Sequence, residues 1–236
     1  MINSMAPSNN RNRQCVLVFL KVPPQTSVKT RLEQFLDKGV VVKLYKHFVA
    51  DILELLARGG YHVIICFYPP QARADVAGWL GHNLSLRPQQ GRNLGERMTT
   101  AFTETFAQGF QQILLLGTDF PDLPDSIMAE AFKQLPHHDA VIGPAVDGGY
   151  YLIGFNSHTF LAEIFNDMPW GTADVYQRTL TVFSNKGCKI HVLPKWCDID
   201  TYQDIERFFK THWQHQTTAL NTVAYLSSIG FGSEKG

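Results

Sequence analysis

Apolar residues in this chain fall into two patterns, short unbroken runs and longer stretches at helical spacing, and the two alternate. Residues 15–20, CVLVFL, are an unbroken run beside a proline-rich loop, the mark of a strand buried on both faces. From Val41 the positions Val41, Tyr45, Phe48, Val49, Ile52 and Leu56 recur at helical spacing, and Gly59-Gly60 predicts the stop. Residues 61–68, YHVIICFY, predict a second buried strand. A short helix over 71–80 and an extended piece over 84–87 lead to Leu94, Met98, Ala101, Phe102 and Phe106, which share one helical face. ILLL at 113–116 predicts the third strong strand, and Pro124 suits the first turn of a helix with Ile127, Ala131, Phe132 and Leu135 inward.

This order predicts an α/β fold, a mostly parallel sheet with helices on both faces and ligands at the strands' carboxyl ends. Beyond residue 139 the order changes. AVIGPA and YYLIGF read as two extended segments joined by a Gly-rich turn, followed by a helical stretch over 172–185 and a strand over 188–194. A helix from about 201 and a helical tail ending near Ile229 complete the chain.

At 236 residues the chain suits one large domain, expected over 14–236 behind a polar, disordered tail at 1–13. That tail lacks the apolar stretch of a signal peptide, and no run is long enough to span a bilayer, so the expected location is cytoplasmic. Lys plus Arg and Asp plus Glu both number 21. With no net field, nucleic acid and membrane surfaces are not expected partners, and any anion site must be local. Cys15, Cys66, Cys188 and Cys197 show no zinc spacing and read as ordinary buried or half-buried thiols in a reducing compartment.

The loop after the first strand carries Lys21, Lys29 and Arg31, cations that suit the oxygens of a di- or triphosphate or, failing that, an ordinary solvated loop. GxxxxGK[ST] is absent, so this is not a P-loop. LGTDFPDLP delivers Asp119 from the most apolar strand to the ligand crevice, where a carboxylate suits Mg²⁺ or Mn²⁺. Asp122 is better suited to cap the helix that Pro124 opens. In CDIDTYQD, Asp200 or Thr201 suits an N-cap, with Gln203 or Asp204 closing a capping box, and one metal ligand remains compatible.

Asp147-Gly148-Gly149 reads as a hairpin turn that also brings bare backbone against a base, ribose or sugar. QGRNLGERM opens a helix with a Gly-rich approach at Gly91, where free backbone donors face an anion; Arg97 joins them or lies on the surface. His212 and His215, three apart, read as a solvated helix face.

FLKVPPQTSVKTRL, QGRNLGERM, LLLGTDFPDLP, DAVIGPAVDGGYYLIGF, MPWGTADV and CDIDTYQDI, in order from about Val16 to Asp204, resemble the radical-SAM/selenodomain-associated transferase group (domain of unknown function 2064). That group lies within the GT-A-fold nucleotide-diphospho-sugar transferases. The resemblance implies a three-layer Rossmann-like sandwich, a nucleotide over the first strand's loop and a divalent cation on strand-end aspartates. It places Lys21, Lys29 and Arg31 in the phosphate loop, Asp119 and Asp200 at the metal, and Asp147 in the DGGY turn. Gln25-Thr26 stands where the group has Pro-Gly, and Asn93 where an acidic residue is common; the lost glycine predicts a less close approach of backbone to phosphate.

The expected function is metal-dependent nucleotidyl or glycosyl transfer from a nucleoside triphosphate or nucleotide-sugar, with Lys29, Arg31 and Asp119 at the chemistry. Lys21, Gly91, Arg97, Asp147, Gly148 and Gly149 hold the substrate, and Asp119 and Asp200 the metal. The alternative is a non-catalytic nucleotide-sugar sensor of the same fold. A third reading has the apolar C-terminal helix, with Leu220, Val223 and Leu226, dock another chain, and a homodimer is compatible with the sequence.

Overall fold

The structure is a computed structural model that describes residues 13–214 and 220–232. The tail before Arg13, and His215, lie outside the described residues. The first half alternates β1 (Gln14–Lys21), α1 (Lys38–Gly59), β2 (His62–Tyr68), α2 (Arg73–Leu80), β3 (Ser85–Pro88), α3 (Leu94–Ala107), β4 (Gln112–Leu116) and α4 (Asp125–Gln134). Then come β5 (Ala140–Pro144), β6 (Tyr150–Asn156), α5 (Val175–Asn185), β7 (Ile190–Val192), α6 (Tyr202–Gln214) and α7 (Asn221–Ser228). No described helix is long and apolar enough to cross a membrane.

The strands share one sheet in the order β3-β2-β1-β4-β6-β5-β7. Only β6 runs against its neighbours, β4 and β5, so the sheet is mostly parallel, as the alternation of strands and helices predicts. The unbroken apolar runs follow from burial on both faces. Val16, Val18 and Leu20 of β1 face one core with α1, while Cys15 and Leu17 face a second core with α3. In β4, Leu114 and Leu116 join the first core, Ile113 and Leu115 the second. Successive side chains thus alternate between two equally dry layers, and no polar position breaks the run.

Three amides lock the far end of the sheet. Gln14 donates to Gln112 at 2.9 Å, Gln112 to Asn156 at 3.1 Å, and Asn156 to the carbonyls of Leu135 and His138. They tie the starts of β1 and β4 to the end of β6, where buried amides must find partners.

The C-terminal helix departs from the docking expectation. Val223 and Leu226 are buried and Leu220 is packed on the same core, with α7 lying against α1 and α6. Asp51 of α1 caps α7 across 170 residues of sequence, accepting from Asn221 N at 2.6 Å and Thr222 N at 3.0 Å. The apolar face closes this chain's own core because α1 offers both an apolar stripe and a capping carboxylate.

Candidate active site

The carboxyl ends of β1, β2 and β4 open on a cleft of about 300 Å³. Lys21, Lys29, Arg97, Asp119 and Asp200 line it, with Tyr68 and Gln89 on the β2–β3 side. Gln89 is buried and braces that side, donating to the Cys66 carbonyl at 2.8 Å and the Leu20 carbonyl at 3.4 Å. Arg97 lies 3.9 Å over the Tyr68 ring, a cation–π contact that turns its guanidinium toward the cleft.

Asp119 and Asp200 converge. Lys29 Nζ lies 2.9 Å from Asp119 Oδ1 and 3.6 Å from Asp200 Oδ1, and Arg31 Nη1 holds Asp200 Oδ2 at 2.8 Å. The Lys29 side chain is only 5% exposed, whereas those of Asp119 and Asp200 are 44% and 33% exposed. The carboxylates therefore face the cleft from above a buried ammonium. The Ile199 N–H donates to the Asp119 carbonyl at 3.0 Å, which splices the 197–200 segment to the end of β4 and makes the convergence obligatory. Lys29 takes a left-handed backbone with φ 50°, unusual for a residue with a Cβ.

Tyr45 of α1 is a strut beneath this floor. Its hydroxyl accepts from Lys21 N at 3.0 Å and lies 3.2 Å from Thr118 Oγ1. Burial, then the Asp119 charge, push that hydroxyl up from its ordinary range. Asp198, two residues before Asp200, lines a separate pocket with Trp196 and His212: burial, then the Asp147 charge, raise it above the usual carboxylate range, while Lys29 draws it back. Neither Tyr45 nor Asp198 stands out in the sequence, Tyr45 because it reads as one more apolar position and Asp198 because CDIDTYQD reads first as a cap.

Two glycines are spoken for by the chain itself. At Gly91 (φ 141°) a Cβ would meet the backbone of α3's first turn, and at Gly148 (φ 91°) it would run into the Ala173 backbone. Their bare surfaces let neighbouring chain in, and neither is among the residues that line this cleft. The donors expected free beside Gly91 are also taken: Glu96 N goes to Asn93 Oδ1, and Arg92 N to the Glu96 carboxylate. Asn93 thus N-caps α3, and the Glu96 carboxylate reaches back to the residue before the cap. In the first loop neither Gln25 nor Thr26 takes a positive φ, and Gln25 anchors the loop by donating to Asp75 at 2.8 Å.

Asp147 and Gly149 line a neighbouring chamber of about 220 Å³ that meets the first cleft at Phe19, Leu94 and Gly117. Asp147 Oδ1 also accepts from Gly149 N at 2.8 Å, which sets the turn.

Asp122 caps no helix. Pro124 holds that place, and Asp122 accepts from Trp196 Nε1 at 2.9 Å and from His212 Nε2 at 3.0 Å. His212 is accordingly part-buried and paired, where the sequence predicted a solvated face. At the start of α6 Thr201 and Asp204 cap one another, so the capping reading holds alongside the exposed Asp200 carboxylate. Cys15 and Cys66 are buried and Cys188 is half-buried, but Cys197 is exposed, contrary to expectation.

Residues 51–172 match the family described as an uncharacterized protein conserved in bacteria, DUF2064. The chain belongs to this family. A crystal structure from Desulfovibrio desulfuricans G20, provisionally named a nucleotide-diphospho-sugar transferase, shares 38% identity with this DUF2064 chain, covering 92% of it and 94% of the other, at a TM-score of 0.87. The 2-phospho-L-lactate guanylyltransferase of Methanocaldococcus vulcanius is 22% identical over 91% of each chain. The 4-diphosphocytidyl-2C-methyl-D-erythritol synthase of Anaerococcus prevotii superposes with a TM-score of 0.55 over 86% of this chain and 99% of its own, at 12% identity, a likeness of fold alone.

Proposed function

We propose that residues 14–236 act as one nucleotide-binding domain that transfers a nucleotidyl group from a nucleoside triphosphate to a phosphate-bearing acceptor. The convergence of Asp119 and Asp200 on Lys29, beside Lys21 and Arg97, carries this reading. One named relative supports it, the 2-phospho-L-lactate guanylyltransferase, a nucleotidyltransferase by name.

In the reaction an oxygen of the acceptor phosphate forms a bond to the α-phosphorus. The bond from that phosphorus to its bridging oxygen breaks, and pyrophosphate leaves with the electron pair. No proton moves, so no general base is needed. Lys21 and Arg97 neutralise the phosphates, Lys29 holds Asp119 and Asp200 together beneath them, and Arg31 holds Asp200 in place. Such catalysis is positioning and electrostatics.

Among the described residues no group of three or more His, Cys, Asp or Glu side chains could hold a metal unaided. The two half-exposed carboxylates still fit Mg²⁺ or Mn²⁺, which bind through one or two carboxylates with phosphate oxygens and water as the remaining ligands. Such an ion, bound with the nucleotide, would supply charge neutralisation at the α-phosphate.

Thermal melting with each nucleoside triphosphate, with and without Mg²⁺, tests the reading. A ligand at 100 times its dissociation constant adds roughly 2.7 kcal/mol, a rise of about 5–10 °C for a chain of this size. The expected result is a Mg²⁺-dependent rise that Asp119→Ala abolishes, with pyrophosphate release when the acceptor is added. Binding without turnover would favour the sensor; a panel with no rise would overturn both.

A further inference from the structure

The second chamber has walls of a different kind from the first. Aliphatic and aromatic side chains make most of its lining, Phe19, Leu94, Met98, Leu115 and Trp170 among them, and among the described residues no Lys, Arg or His lines it. Its polar side chains are Asp147 and Thr172, with the tyrosines of β6 at its edge.

Tyr150 supplies the decisive feature. Its hydroxyl is the one buried side-chain oxygen or nitrogen without a hydrogen-bond partner among the described residues. Leaving such a group unpaired is costly, and native proteins seldom do so without a reason. Tyr151, its neighbour on the strand, shows the ordinary solution, donating to the Pro194 carbonyl at 3.0 Å. The Tyr150 ring meets Trp170 edge-on, with centroids 6.3 Å apart, so the ring that carries the unpaired hydroxyl lines the same chamber as Trp170.

Resting on the transferase reading above, we infer that this chamber takes the body of the acceptor. That acceptor is a phosphate ester whose body is uncharged and largely apolar, with one hydrogen-bond-accepting group for the Tyr150 hydroxyl. Its phosphate lies at the junction by Phe19, Leu94 and Gly117, toward the cations of the first cleft. A carboxylate on the body would enter a cation-free chamber beside Asp147 and be rejected. Trp170 packs the body, and Tyr150 reads its one polar group.

The test is calorimetric binding of three probes, with and without a non-hydrolysable nucleoside triphosphate and Mg²⁺. Phenacyl phosphate and phenethyl phosphate differ by one carbonyl, while 3-phosphoglycerate carries a charged body. Both aromatic esters are expected to bind at least tenfold more tightly than 3-phosphoglycerate, and Trp170→Ala to weaken them about tenfold. Phenacyl phosphate should bind about 2- to 10-fold more tightly than phenethyl phosphate, a gap that Tyr150→Phe closes.

Tyr150→Phe without ligand should melt no lower than wild type, since it deletes an unpaired donor. A lower melting temperature would mean that the hydroxyl is structural, and would overturn the proposal. So would 3-phosphoglycerate binding as tightly as the esters, or esters that fail to bind or that ignore Trp170→Ala. Nucleotide binding to wild type and Asp119→Ala, on the same samples, tests the transferase reading separately: nucleotide bound with the ester predictions failing sinks only this inference, and Mg²⁺-nucleotide binding absent sinks the reading beneath it.

Discussion

Lys29 carries two roles that pull against each other. Its side chain must reach both aspartates, and its backbone sits in a left-handed conformation that costs a residue with a Cβ on the order of 1–2 kcal/mol. A structural residue would be replaced by glycine at such a position; a lysine is kept there for its ammonium. Two variants separate the roles. Lys29→Gly relieves the backbone and Lys29→Ala does not, so in chemical denaturation the glycine variant should be the more stable by about 1 kcal/mol. Both should lose the nucleotide-induced rise in melting temperature. An alanine variant as stable as the glycine one would show that the left-handed backbone stores no strain.

At the scale of elements, the cap that α1 supplies to α7 is a carboxylate burial as well as a hydrogen bond. Burial pushes the Asp51 carboxyl above its ordinary value of 3.8, and the bonds from Thr222 and Asn221 only partly offset this. A raised folded value favours the protonated form, so the contribution is full below pH 3.8 and is lost as pH rises through the raised value. Asp51→Ala should cost about 1–2 kcal/mol. Melting from pH 3.5 to 7 should show the gap between wild type and variant widest at the acid end and narrowing upward.

What the sequence made legible sorts on similar lines. Unbroken runs such as CVLVFL and ILLL mark strands because both faces are dry, and that fixes α/β order and the carboxyl-end crevice. The placement of β6 between β4 and β5 was not legible, because YYLIGF is apolar whichever partner it takes. Asp119 and Asp200 follow strands and announce themselves. The Asp122–His212 pair and the Asp51 cap join residues 90 and 170 positions apart, and nothing in local pattern encodes such contacts.

For the molecule as a whole, the site depends on distances measured along strands. The amide chain Gln14–Gln112–Asn156 lies at the opposite end of the sheet from every residue proposed for chemistry. Each residue of a strand advances about 3.3 Å and turns its side chain to the other face. Were β6 to pair one residue out of step, the Tyr150 ring would turn to the other face of the sheet and leave the chamber. The three amides therefore act as a zero mark from which each strand is counted out to the ligand. Gln112→Leu, which orphans two of them, should broaden nucleotide-bound NMR signals of Asp147–Tyr150 as well as lower stability, so an error of a few ångströms in β6 would be read at the remote rim of the protein.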